Sequence, residues 1–157
     1  MNKTLIALLA LGSALALSLL ADPNNKTSRD LTGSWRIRVV IPPGNSACPP
    51  GPDPCVFLAL ASCSSDGTAV QTAALPATST GHGVWKRSGR KEFSTRTTYF
   101  RFNEQGIAVG TSETVSMLEL SDDGRIASGV YVNTVLDLAG NVVTSFNATV
   151  TGSRIEL

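Results

Sequence analysis

The sequence predicts an all-β protein: an eight-stranded antiparallel up-and-down barrel that follows an N-terminal signal segment. Three observations predict it. Five Gly-centred turn signals punctuate the back half: Ser65-Asp66-Gly67, Ser88-Gly89-Arg90, Asn103-Glu104-Gln105-Gly106, Asp122-Asp123-Gly124 and Ala139-Gly140-Asn141. The segments between them are rich in Val, Ile, Thr, Phe and Tyr, and the later signals recur about every 15–20 residues, where sandwich strands turn about every 8–12. No helical periodicity follows the leader. Long strands with short reversals imply a meander that closes on itself.

The elements follow in order. Residues 34–41 alternate Trp35, Ile37, Val39 and Ile41 against Arg36 and Arg38, so one face is buried and the other wet. A proline-dense loop leads to 56–62, which is apolar without alternation. Then come 67–75, a Pro/Thr/Ser loop, and a short strand over 82–87 that carries Trp85. Residues 91–102 hold the longest run of β-formers, with Phe93, Thr95, Thr97, Thr98, Tyr99, Phe100 and Phe102. The last three candidates are 107–120, 125–138 and 141–155. Strands of about 14 residues would exceed ~40 Å if straight, at about 3.3 Å per residue. Closure removes the two long edges that such strands would expose, and Gly110 and Gly129 ease the curvature.

The chain opens on Lys3 and a run over 5–20 that is apolar apart from Gly12, Ser13 and Ser18. As a helix this run is about 24 Å long, short of the ~30 Å bilayer core, which fits a cleaved leader better than an anchor. Ala14-Leu15-Ala16 matches the small-x-small cleavage pattern. A cut after Ala21 leaves a better polar start at Asp22-Pro23, though Leu19 is larger than the pattern prefers. The organisation adopted is a signal peptide over 1–21, a flexible segment over 22–31 and a barrel domain over 32–157. The protein is expected to be secreted or periplasmic, with no stable membrane span after cleavage. Roughly 135 residues can bury about two-thirds of their unfolded surface, enough for one self-standing domain.

There are 13 Lys and Arg against 12 Asp and Glu, and loss of Lys3 with the leader takes the formal charge from +1 to zero. Arg36, Arg38, Arg87, Arg90, Arg96 and Arg101 are spread over different strands and turns. Nucleic-acid binding therefore has no basic face to rest on. Export permits disulfides. Cys48 and Cys55 bracket Pro49-Pro50-Gly51-Pro52-Asp53-Pro54, and a bridge there would contribute about 2.5 kcal/mol in the chain-entropy model. Cys63, at the far end of the next strand, is left over and is expected to be buried. Three Cys and a distant His form no familiar metal-ligand spacing, so no metal and no cofactor is assigned.

Gly33-Ser34-Trp35 opens the first strand and Arg154 lies at the end of the last. This pattern resembles the calycin arrangement, as in lipocalins. The resemblance implies that Gly33 and Trp35 sit at the closed end of the barrel and that Arg154 lies across the indole. A guanidinium over a desolvated Trp face adds roughly 0.5–2 kcal/mol and seals the junction of first and last strands. The helix that lipocalins carry after the last strand has no counterpart in the residues that follow Arg154.

Candidate chemistry is sparse. His82, in Thr80-Gly81-His82-Gly83, reads as a turn residue between conformationally permissive glycines. There is no Gly-x-Ser-x-Gly nucleophile elbow. Asp122-Asp123-Gly124 reads as a hairpin turn rather than a carboxylate pair. Glu113 has two readings. If Ile107, Val109, Thr111, Glu113, Val115 and Met117 face inward, a carboxylate lies inside the barrel, with Arg96 or Arg101 as its donor. If Ala108, Gly110, Ser112, Thr114 and Leu118 do, Glu113 stands in water. Trp85, Tyr99, Glu113 and Arg96 are the ligand-contact candidates, while Tyr131 reads as a surface girdle residue on the opposite parity to Val130 and Val132.

No catalytic residue is assigned. The leading functional expectation is a barrel that binds a small, mostly apolar molecule. One alternative is an isomerase or cyclase that uses Glu113 and an Arg. The other is a cell-envelope interaction module without a pocket, which would present the Cys48–Cys55 loop and residues 76–83.

Overall fold

Strand β1 (Gly33–Ile41) pairs antiparallel with β2 (Cys55–Cys63) along one edge and with β8 (Val142–Arg154) along the other, and this double pairing closes the sheet. Between them β3 (Thr68–Ala73), β4 (Gly81–Arg87), β5 (Glu92–Phe102), β6 (Ala108–Leu120) and β7 (Ile126–Leu136) pair in chain order, giving a closed eight-stranded antiparallel barrel. The structure is a computed structural model that describes residues 29–45, 47, 48 and 51–156. The leader expected over 1–21 and residues 22–28 of the entry segment lie outside the described residues. No helix among those described is long and apolar enough to cross a membrane.

Alternation of side chains explains most of the wall. On β1, Trp35 and Val39 are buried while Arg36 and Arg38 point out. β2 is apolar on both faces, yet its pairing still sorts it: Phe57, Ala59 and Cys63 are inside, and Val56, Leu58 and Leu60 are on the outer surface. The expected turns close the hairpins. Gly67, Gly106, Gly124 and Gly140 adopt positive φ, and the preceding polar residues cap the turns. Asn103 Oδ1 accepts from the Gln105 and Ile107 backbone, and Asp137 Oδ1 accepts from the Ala139 and Asn141 backbone. Asp122 and Asp123 likewise belong to a turn: Asp122 is ion-paired with Lys91, and Asp123 accepts from the Ser121 hydroxyl, which with other local donors holds its carboxyl below the usual range.

Two strand glycines sit where backbone from the next strand leaves no room. A Cβ on Gly110 would stand 2.0 Å from the Leu136 carbonyl oxygen, and one on Gly129 would stand 1.9 Å from that of Met117. Gly110, at φ +148°, also lies where the β5–β6 register shifts, so a bulge bends β6 there. A second shift falls between Val135 and Leu136 on the β7–β8 pair.

The core has two parts. Leu31, Trp35, Cys63, Ala69, Phe93, Leu120 and Ala127 fill the end where both described termini meet. Val39, Ile41, Phe57, Tyr131, Ala148 and Val150 pack higher in the barrel. Tyr131 is therefore inside, not on an outer girdle. The register explains the correction: Tyr131 stands between Ser116 on β6 and Ala148 on β8, and these two small side chains leave space for its ring.

Candidate functional site

The two ends of the barrel differ. At the closed end the Arg154 guanidinium carbon lies 4.3 Å from the centre of the Trp35 ring, and the two residues are register partners. Arg154 Nε donates to the Gly124 carbonyl at 2.8 Å, one Nη donates to Asp30 O at 2.8 Å and the other to Thr32 O. Trp35 Nε1 donates to Leu31 O at 2.8 Å. One guanidinium thus ties the entry segment, the β6–β7 turn and the last strand together. Above this latch lies a void of about 50 Å³, bordered by Cys63, Ala69 and Leu118.

The opposite end is open. A cavity of about 640 Å³ lies there, within the ~300–1,000 Å³ range of small-molecule sites. Its wall follows from the interior register. Three inward rows cross β5 to β8: Thr95, Ser116, Tyr131, Ala148, which meets the cavity at Tyr131; Thr97, Thr114, Asn133, Phe146, which meets it from Thr114 onward; and Tyr99, Ser112, Val135, Thr144, all on its wall. Every row sets small side chains beside large ones. The β6 contribution is Ser112 and Thr114, both buried, with Ser116 of the same stripe bordering the small void, and these small side chains leave the room that larger residues would have filled. Phe57, Tyr131 and Phe146 form an aromatic arc along it, with ring centres 6.1 Å and 6.4 Å apart.

Two loops frame the mouth. The β1–β2 loop is tied by the Cys48–Cys55 disulfide, with Cα atoms 5.7 Å apart, and contributes Ala47 and Cys55 to the lining. Residues 74–80 lie along the exposed edge of β5: Ser79 N donates to Phe100 O at 3.0 Å, and Phe102 N donates to Ala77 O at 2.8 Å. β3 and β4 are short, and this loop covers the β5 edge that they leave uncovered.

The polar interior is small. Ser112 Oγ donates to Asn133 Oδ1 at 2.6 Å, a buried pair on the cavity wall. The Tyr99 hydroxyl is buried and has no hydrogen-bond partner among the described residues, although Thr114 is its near neighbour. Burial, with Tyr131 close by, pushes the Tyr99 phenol up well beyond its ordinary pKa, and burial does the same to Tyr131. Among the described residues the lining contains no Asp, Glu or Lys, and Arg101 is its only charged side chain.

Tyr99 is the one sequence candidate that the fold brings to this cavity. Trp85 packs at the closed end, its ring centre 5.9 Å from that of Phe93 and its Nε1 donating to Ser64 O at 2.9 Å. Arg96 is exposed on the outer face of β5. Glu113 stands on the outer face of β6, half-buried between Thr98 and Thr134, because the Ser112/Thr114/Ser116 face is the one turned inward. His82 is a strand residue facing out, not a turn residue. Its flanking glycines serve closeness rather than φ: a Cβ on Gly81 would lie 2.5 Å from the Tyr99 ring, and one on Gly83 would lie 2.0 Å from the Arg96 carbonyl oxygen.

Sequence reasoning missed Ser112, Asn133, Tyr131 and Phe146 as lining residues. A stripe of small polar residues spaced by two, and an Asn inside a β-branched run, were the available signs. Among the described residues no group of three His, Cys, Asp or Glu could hold a metal ion. No protein-family model matches this chain, and no curated protein matches it in sequence.

Proposed function

We propose that this protein is an exported, lipocalin-like barrel that takes up one small, mostly apolar molecule through its open end. The observation that carries the reading is the roughly 640 Å³ cavity, walled by Ile41, Phe57, Tyr131, Val135 and Phe146. Export draws its support from the apolar leader and from a disulfide placed in a proline-dense loop. Tyr99 is the residue expected to touch the ligand. Trp85, Arg96 and Glu113 stand away from it.

The cavity favours binding over acid–base catalysis. An isomerase or cyclase of the kind envisaged needs an interior carboxylate, and Glu113 is on the outer face. The interaction-module reading has one observation in its favour, the exposed apolar stripe of Val56, Leu58 and Leu60 on β2. A single experiment separates pocket from no pocket. The purified full chain is extracted into organic solvent for mass spectrometry and is titrated with the neutral fluorophore N-phenyl-1-naphthylamine. Saturable binding that Thr144→Trp weakens about tenfold is the expected result. No extractable molecule and no saturable binding would overturn the reading.

A further inference from the structure

We infer that the ligand is an amphiphile with a single anionic head, a carboxylate, held by Arg101 at the cavity mouth while its apolar body lies along Phe57, Tyr131 and Phe146. The inference rests on the cavity reading above and narrows it to a ligand class. Arg101 follows Thr97 and Tyr99 at intervals of two on β5, so it shares their inward parity, and it lines the mouth. Its position is fixed by backbone, since it bridges to Thr78 of the 74–80 loop and pairs with Gly110 at the β6 bulge.

Arg101 is set apart from the other described arginines by its place in the cavity lining. Arg87 and Arg154 spend their guanidinium groups on backbone carbonyls and aromatic faces, and Arg125 pairs with Glu156. Among the described residues the Arg101 guanidinium has no ion pair and no hydrogen bond, and no carboxylate shares the lining with it. A lone cation beside an apolar cavity selects an anion over a neutral or cationic head, and the planar fork of Arg suits a carboxylate in particular.

The test uses the full chain with N-phenyl-1-naphthylamine as reporter and three competitors that share one tail: dodecanoate, dodecan-1-ol and dodecylamine. Dodecanoate is expected to displace the reporter at about tenfold lower concentration than the alcohol, with the amine weakest. Arg101→Gln is expected to equalise acid and alcohol, each displacement being referred to that variant's own reporter affinity, and Arg101→Lys to retain part of the preference. Thermal melts confirm that both variants fold, and the Lys variant keeps the comparison informative if the Gln variant does not. Equal displacement by acid and alcohol, or a preference that survives Arg101→Gln, overturns this inference alone. Failure of the reporter and all three competitors to bind overturns the cavity reading and this inference with it.

Discussion

Arg154 covers the indole of Trp35 at 4.3 Å and at the same time donates to the carbonyls of Asp30, Thr32 and Gly124. The contact joins the first strand to the last at the one seam where a meander can come apart. Truncation at Arg154→Ala should therefore cost about 2–4 kcal/mol, combining the lost cation–π contact with three carbonyls left short of a donor. Arg154→Lys should recover less than half, because an ammonium cannot reach all three. Urea melts of the three proteins check this, and a cost below ~1 kcal/mol for Arg154→Ala would show that the seam holds without the latch.

Gly33 belongs to the same latch. Its φ is +122°, and a Cβ there would stand 2.9 Å from an Arg154 Nη. Gly33→Ala should destabilise by about 1–2 kcal/mol through strain and displacement of the guanidinium. Combining it with Arg154→Ala should cost less than the sum of the two, which a double-mutant cycle reads directly.

Tyr99 should behave unusually for a buried aromatic residue. Its hydroxyl is desolvated and has no hydrogen-bond partner among the described residues, so Tyr99→Phe should leave stability unchanged or raise it by about 1 kcal/mol. Gly81→Val should do the opposite, destabilising by about 1–3 kcal/mol, since its side chain would enter the space of the Tyr99 ring. Thermal melts of the ligand-free protein test both signs.

Alkaline pH should weaken the fold through Cys63. Burial pushes its thiol up from 9.0 to about 11, so the unfolded chain releases its proton first as pH rises. The stabilisation is fully present below about pH 9 and is lost as pH climbs toward 11, by roughly 2 kcal/mol at most. The buried phenols of Tyr99 and Tyr131 act in the same direction at higher pH. Urea midpoints between pH 7 and pH 11 should fall less steeply for Cys63→Ala, and Cys63 should resist alkylation in the native state at pH 8.

The Cys48–Cys55 tie should contribute about 2.5 kcal/mol by restricting the unfolded loop. Replacing both cysteines by Ser should lower the urea midpoint accordingly while the barrel still folds, because its pairing lies outside the loop. Circular dichroism distinguishes a destabilised barrel from a lost one.

Strand number, order and closure were legible in the sequence because they rest on local chemistry. The Gly turns at 67, 106, 124 and 140 set the reversals and the alternation from Trp35 to Ile41 set one inner face, while the Trp35–Arg154 seam was expected from the resemblance to calycins. The odd cysteine and the bridged pair were legible too, from loop length and strand length alone. The site was far less legible. β6 presents large apolar residues on one face and small polar ones on the other, and the larger residues point out.

Local sequence thus determined where this chain turns and how many strands it makes. Only the tertiary structure decided what faces the cavity. A barrel interior is shared among eight strands, so whether a side chain fits inside depends on its neighbours across the sheet: Tyr131 turns in because Ser116 and Ala148 are small, and Tyr99 lies flat because Gly81 has no side chain. Those neighbours are distant in sequence, and pairing alone brings them together.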